Sequence, residues 1–464
     1  MPYLLLFIAL SLAFRYGRAP LRALLFCLVC VWGAFEAIYG LLQLTTIVPS
    51  RHPAFAMTGH FDNPGPFGGF AAMAMALAGA YLVRYRRRRK GFYRASLYCI
   101  AAASFALGVL VLPASMSRAG WLALAAAALY IVLSDRVMRA WMISARWRIP
   151  VAVSLSLALL AGAFLLKSDS ALGRLHIWRV EALAIADNPP GSGPSTALGA
   201  YGEAQERFFR AHLEDVPEAV VRVAGCPEYP FNEYLGLGME YGVAGLLLSV
   251  AIVVAAIALL YRRRDVFAAG MLAWSVFALA SYPLSVTQTS VLLVVFLASA
   301  VPESKLHLRP LRIGACTLAA VLCVPAILHL GDKSGIIDRS AYRELYSRAY
   351  FLYQAGEYEQ SNAVLTEGAA VSSDPMFRVI MGRNCEALGD VAGAEEEYLR
   401  AYYMVPCRIY PLVRLMRLKI REGRDDEARA IGEKILSMPL SEGHRPMLKL
   451  RRETEASLDS LRRL

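Results

Sequence analysis

Ten apolar runs divide the first 330 residues, and they constrain the chain more than any other feature. They cover 2–14, 21–44, 67–83, 95–112, 119–133, 149–166, 235–260, 266–282, 286–301 and 313–330. Most reach the ~17–25 residues that a helix needs to cross a bilayer, and 2–14 is the shortest. Hydrocarbon cannot satisfy backbone polar groups, so runs of this kind are predicted as helices. The chain is 57% hydrophobic, with a mean hydropathy of +0.43. The expectation is an all-α polytopic membrane protein of about ten spans.

The basic residues fix one topology. "RYGRAPLR" (15–22), "RYRRRRKGFYR" (84–94), "DRVMRAWMISARWR" (135–148), "YRRRD" (261–265) and "PESKLHLRPLR" (302–312) occupy every second connection. Such loops stay cytoplasmic. Much of the net charge of +12 is thereby explained, and no nucleic-acid partner is needed. The connections 49–66, 113–118, 167–232 and 283–285 then face outward. Connection 167–232 is too long to be an idle linker, and it gathers Gly, Pro, Trp and Tyr. The start lacks a basic n-region and a small-residue cleavage site, so no cleavable signal peptide is expected.

The eight cysteines suggest no metal or redox centre. Cys27 and Cys30 form a CxxC inside an apolar helix, without a second pair, and read as buried small hydrophobes. Whether Cys385 and Cys407 pair is open.

The membrane domain is expected to cover 1–332, with 167–232 as its large outer loop. Beyond it, "AGEYEQS", "LGDVAGAEEEY" and "EGRDDEA" place turn glycines at Gly356, Gly389 and Gly423, at intervals of 33 and 34 residues. That period matches the tetratricopeptide repeat. In the middle repeat Gly382, Gly389, Ala394, Tyr398, Ala401 and Pro406 occupy the small, turn, aromatic and closing positions. A TPR-like α-solenoid is predicted over 338–440, followed by a helical tail over 441–464. The alternative is an ordinary helical bundle.

Four outward stretches carry polar groups. "TGHFDNPGPFGGF" (58–70) holds His60, Asp62 and Asn63, which fit helix capping or a site wall. "PASMSRAGW" (113–121) puts Arg118 at a helix mouth, as a snorkelling anchor or an anion ligand. "GRLHIWRVEALAIADNPPGSGPSTALGAYGEAQERFF" (173–209) reads as an amphipathic helix bearing Arg174, His176 and Arg179. Its glycine loop offers backbone N–H groups to a phosphate or sugar. "EYPFNEYLGLGMEYGVAGLLLSV" (228–250) sets Asn232 and Glu233 before an apolar helix, as caps or as site groups. Glu36 is a further carboxylate within an apolar run, suited to function or to a buried hydrogen bond. Arginines, amides and carboxylates at one membrane surface suit a lipid-linked pyrophosphate, with a base to deprotonate an acceptor hydroxyl.

At these residues the chain resembles the O-antigen ligase and polymerase family of bacterial membrane glycosyltransferases. "EAIYGLLQL", "GHFDNPGPFGGF", "PASMSRAGWLAL", "GRLHIWRVEALAIADNPPGSGP" and "FNEYLGLGMEYGVAGLL" are similar to its ordered blocks. "AYGEAQERFF" and "SYPLSV" look like a Bacteroidota branch that carries C-terminal tetratricopeptide repeats. The resemblance implies a GT-C-like membrane fold in the bacterial inner membrane, with site and repeats periplasmic. It implies metal-independent transfer, without a cofactor, of a glycan from undecaprenyl pyrophosphate. The acceptor would be lipid A–core in a ligase, a growing glycan in a polymerase, or a protein hydroxyl in an O-oligosaccharyltransferase. Ligase in lipopolysaccharide biosynthesis is the favoured reading. By position, Arg118 and Arg174 would hold pyrophosphate. His60, Asn63, His176, Arg179 and Asn232 would contact substrate. Many members place a histidine before the block's asparagine, where this chain has Phe231. Glu233 is then the candidate base, with His60 and His176 as rivals.

Two other classes compete. A non-catalytic membrane scaffold could present the repeats to an envelope assembly. A transporter would show internal symmetry, and no convincing repeat occurs among the spans.

Overall fold

The structure, a computed structural model, describes residues 2–16, 19–87, 91–145, 147–148, 150–151, 154, 168–304, 335–439 and 445–463. The run at 313–330 lies outside the described residues, as does nearly all of 149–166. Among the described residues the regular elements are helices. They are α1 (Pro2–Tyr16), α2 (Ala19–Leu44), α3 (Pro64–Tyr85), α4 (Phe92–Ala114), α5 (Arg118–Ser134), α6 (Arg136–Ser144) and α7 (Ser168–Asp187). Next come α8 (Ala197–His212), α9 (Glu218–Val223), α10 (Glu233–Arg262), α11 (Phe267–Ala278) and α12 (Thr287–Ala300). The C-terminal helices are α13 (Tyr342–Gln354), α14 (Tyr358–Val371), α15 (Met376–Leu388), α16 (Val391–Met404), α17 (Tyr410–Arg421), α18 (Asp425–Ser437) and α19 (Arg445–Arg463).

Among the described residues four helices are long and apolar enough to cross a membrane: α3, α4, α10 and the Leu21–Leu44 part of α2. The pair α5–α6 is a fifth if its 93° bend lies within one span. The expected runs at 2–14, 266–282 and 286–301 form shorter apolar helices. The last two are separated by a 3-10 turn at Pro283–Ser285. Proline removes a backbone donor there and stops the helix.

The residues group into two compact units. One comprises Met1–Leu166, Phe231–Tyr234 and Leu247–Asp338; the other comprises Lys167–Pro230, Leu235–Leu246 and Arg339–Leu464. The first holds the spans. Its centre is α3, 72% buried over its apolar window, against 17% for α10. Small residues explain that position. Gly68 on α3 and Gly120 on α5 let the two backbones meet, since a Cβ on Gly120 would lie 2.7 Å from the Gly68 carbonyl oxygen. Conversely, α10 exposes Leu247, Leu248 and Val254, as a lipid-facing helix does.

In the second unit, successive helices α13 to α19 pack against one another. Gly356, Gly389 and Gly423 adopt φ of 81°, 82° and 71°, the left-handed conformation that lets glycine close a helix. Phe377 packs on α14, while Tyr398 and Ala401 fill the layer beneath α17. The tail helix α19 brings Leu461 to a cluster with Met416 and Ile435. The long connection belongs to this unit: α8 packs on α14 and α16.

Candidate functional site

Within the membrane unit, two of the polar stretches converge. Asn63 caps α3, its Oδ1 accepting from the Gly65 N–H at 2.9 Å, with Pro64 preset for the first turn. Ser117 caps α5, accepting from Gly120 N–H at 3.3 Å, and its hydroxyl donates to the Gly65 carbonyl at 3.0 Å. The two helix N-termini are thereby tied together, and Arg118 is the first residue of α5, half-buried. Aligned N–H groups and a guanidinium at one place favour an anion.

His60, three residues before Asn63, is held from α2. Glu36, buried, accepts from the His60 backbone N–H at 3.1 Å. Both carboxylate oxygens of Glu36 also lie 3.1 Å from Nδ1 of the ring. The imidazole stacks on Tyr39 at 3.8 Å and on Phe35 at 5.3 Å. A carboxylate on Nδ1 selects the tautomer with its proton there and leaves the lone pair on Nε2. Gln43, one further turn pair along α2, takes the N–H groups of Thr58 and Gly59 at 2.9 and 2.7 Å. The 49–66 connection is therefore anchored by two buried polar residues of a membrane helix.

The α10 entrance also belongs to this unit. Asn232 acts as a cap, its Oδ1 accepting from Tyr234 N–H at 3.1 Å. Glu233 is only 1% exposed, and its Oε1 accepts from the Leu284 N–H at 2.8 Å. The "SYPLS" turn therefore packs on the start of α10, and Phe231 meets Tyr282 edge-on at 5.7 Å.

The second unit holds the other three residues singled out from the sequence. All lie on α7. Arg174 is half-buried and Arg179 is exposed, its guanidinium 4.7 Å from the Phe208 ring centre. His176 is buried, with Nε2 3.0 Å from Gln205 Oε1. Burial, aided by the Arg179 charge, pushes this imidazole below its usual pKa despite the Gln205 bond. Gln205 also donates to the carbonyls of Gly225, at 3.0 Å, and Met404. One side chain of α8 thus joins α7, the 224–230 segment and the end of α16.

The glycine loop of "NPPGSG" serves a purpose that the sequence did not suggest. Its N–H groups are committed. Gly191 donates to Asn188, Ser192 to the Met239 carbonyl and Gly193 to the Glu240 carbonyl, each at 2.9 Å. Those carbonyls are open because α10 breaks at Gly242, with φ 69° and ψ −168°. In return Val243 N–H donates to Pro189 at 3.0 Å. Beside the break, Glu240 forms a buried pair with Arg339, Oε1 to Nε 3.4 Å. Next to the loop, a cavity of about 960 Å³ is bounded by Arg179, Asp187, Asn188, Ser192, Glu203 and Arg207 among others.

Sequence reasoning missed Gln43, Gln205 and Arg339. Their partners lie between 4 and 199 positions away. Lone polar residues carry no periodic signal, so only the fold could pair them.

No curated protein and no solved structure matches the chain. A family model described as O-Antigen ligase matches residues 103–250. That segment contains Arg118, Arg174, the "NPPGSG" loop, Asn232, Glu233 and the Gly242 break. Over residues 103–250 the chain is therefore similar to the O-antigen ligase family.

Proposed function

We propose that this chain is a membrane glycosyltransferase of the O-antigen ligase and polymerase type, acting as a ligase. One observation carries the proposal: the O-antigen ligase match spans the stretches that supply both arginines and the α10 entrance. In this proposal the protein is a GT-C-like enzyme of the bacterial inner membrane, with site and long connection periplasmic. The donor is a glycan on undecaprenyl pyrophosphate, and lipid A–core is the acceptor. Polymerase or protein O-oligosaccharyltransferase activity are the alternatives. An acceptor hydroxyl attacks the anomeric carbon, and the bond from that carbon to the phosphate oxygen breaks. Undecaprenyl pyrophosphate leaves with the electron pair, and a base takes the hydroxyl proton.

Arg118 and Arg174 are proposed to hold the pyrophosphate, where a guanidinium fork matches the charge that develops on departure. Asn63, Asn232 and Arg179 are proposed substrate contacts. Glu233 is one candidate base, given that Phe231 stands at the family's histidine position. The Glu36–His60 pair favours a second: a partly exposed imidazole, oriented by a buried carboxylate, with Nε2 as proton acceptor. Either substitutes for the histidine absent at Phe231. The C-terminal helices are proposed to be TPR-like repeats that bind an acceptor or a partner protein. The domains expected at 1–332, 338–440 and 441–464 are retained as functional divisions.

Deleting the gene and examining the lipopolysaccharide tests the activity. Loss of all polymeric glycan from lipid A–core supports a ligase. Single repeat units on the core point to a polymerase, and an unchanged profile overturns both. Arg118→Ala and Arg174→Ala are each expected to lower transfer by about 10²–10³-fold. Full activity in either removes that arginine from the assignment.

A further inference from the structure

At the ends of α3 and α5 opposite Asn63 and Arg118, five arginines line one cavity of about 370 Å³. They are Arg84, Arg136, Arg139, Arg262 and Arg264. Two carboxylates share the wall, but both are engaged by other cations. Asp135 accepts from Arg86 at 3.0 and 3.1 Å and caps the first turn of α6. Asp265 is bonded to Arg22 and accepts from Phe267 N–H at 3.2 Å. The cavity therefore keeps a strong positive potential, the condition for binding an anion.

The local structure is built to hold this shape. α10 ends in a left-handed residue, Arg264 at φ 53°, with Asp265 N–H returning to the Leu260 carbonyl at 2.9 Å. On the other wall, the Asp135 cap turns the chain 93° from α5 into α6. α6 buries none of its residues, and it shows Val137, Trp141 and Ile143 together with its arginines. A short helix with that mixture lies in a membrane interface. Tyr130 and Tyr261 sit on the cavity wall with their rings 6.1 Å apart, as interfacial aromatics do. Leu129, Leu133 and Leu259 extend an exposed apolar surface away from it along α5 and α10.

A free phosphate would use the arginines but none of the apolar surface beside them. We propose that this cavity binds the phosphate-bearing headgroup of an anionic membrane lipid, with its acyl chains along α5 and α10. Basic pockets between spans take such headgroups. The site is separate from the proposed transfer chemistry, and it stands whether or not the chain is a transferase.

The purified full chain in neutral detergent is titrated with dioctanoyl phosphatidylglycerol, dioctanoyl phosphatidylcholine and inorganic phosphate, with bound ligand read by native mass spectrometry. Phosphatidylglycerol is expected to bind at least ~10-fold more tightly than the other two. Each arginine contributes about fivefold. Arg84→Gln, Arg139→Gln and Arg262→Gln together should therefore weaken the lipid on the order of 100-fold. The matching lysine triple variant should keep most of the affinity. If the glutamine triple does not fold, Arg139→Gln alone on surface helix α6 should cost about fivefold. Equal binding of the two lipids, wild-type affinity in a folded glutamine variant, or phosphate binding as tight as lipid would each overturn the proposal.

Discussion

In the proposed transfer His60 and Glu233 are the two candidate bases, and their surroundings distinguish them. Glu36 fixes Nδ1 of His60 and leaves Nε2 as an acceptor, whereas Glu233 spends one oxygen on the Leu284 N–H from a buried position. If His60 is the base, His60→Gln lowers kcat by about 10²–10⁴-fold with little change in KM. Glu36→Gln keeps the packing but loses the orienting charge, so its smaller kcat loss should come with an altered pH profile. A collapse of kcat in Glu233→Gln with His60→Gln active would return the role to Glu233. Steady-state transfer assays across pH separate these outcomes. Much at this scale was legible in sequence: Asn63 after a turn and before Pro64 signals a cap, and Asn232 before an apolar run does the same. The Glu36–His60 pairing was not, because the partners are 24 residues apart and no local pattern links a mid-helix carboxylate to a loop histidine.

α10 reads from sequence as one continuous span, and it is instead broken at Gly242. Glycine is common in membrane helices, so its presence alone announces no break. What requires it is the Pro189 carbonyl, which occupies the space a Cβ would need, together with a φ/ψ open essentially to glycine alone. Gly242→Ala should destabilise the protein by about 3 kcal/mol, from backbone strain plus the clash. Thermal unfolding in detergent checks it, and an unchanged midpoint would contradict the break. Arg339→Met tests the neighbouring pair. It leaves Glu240 buried without that cation and should cost about 3–5 kcal/mol, partly recovered by adding Glu240→Met. Recovery fails if the pair contributes nothing. The apolar periodicity foretold the helices well, since hydrocarbon leaves few choices. Which runs stop short depended on a proline turn and on packing around α3, which hydropathy does not encode.

For the whole molecule, the sequence suggested a loop attached to the spans and a separate repeat array. The 167–230 connection instead groups with the C-terminal helices. Gly199 and Gly202 make this possible, since side chains there would strike the Ala370 carbonyl and Met404. Removing residues 335–464 should therefore expose α8 and take from Gln205 its bond to the Met404 carbonyl. Limited proteolysis with mass spectrometry should then find rapid cleavage within 188–230, and transfer should fall with it. A truncated chain whose connection stays protected would show that the connection folds without those helices. The glycines at Gly356, Gly389 and Gly423 pointed to helices joined by turns, but contacts between distant stretches follow from shape complementarity that no short motif records.

Gln205 and the carbonyl of Met404 that it grasps are 199 residues apart. Ribosomes add about 5–20 residues per second, so the first partner waits on the order of 10–40 s for the second to be made. Through that interval α8 has an apolar face and a buried amide without their native cover. Full packing around Gln205 consequently waits on synthesis of the C-terminal helices.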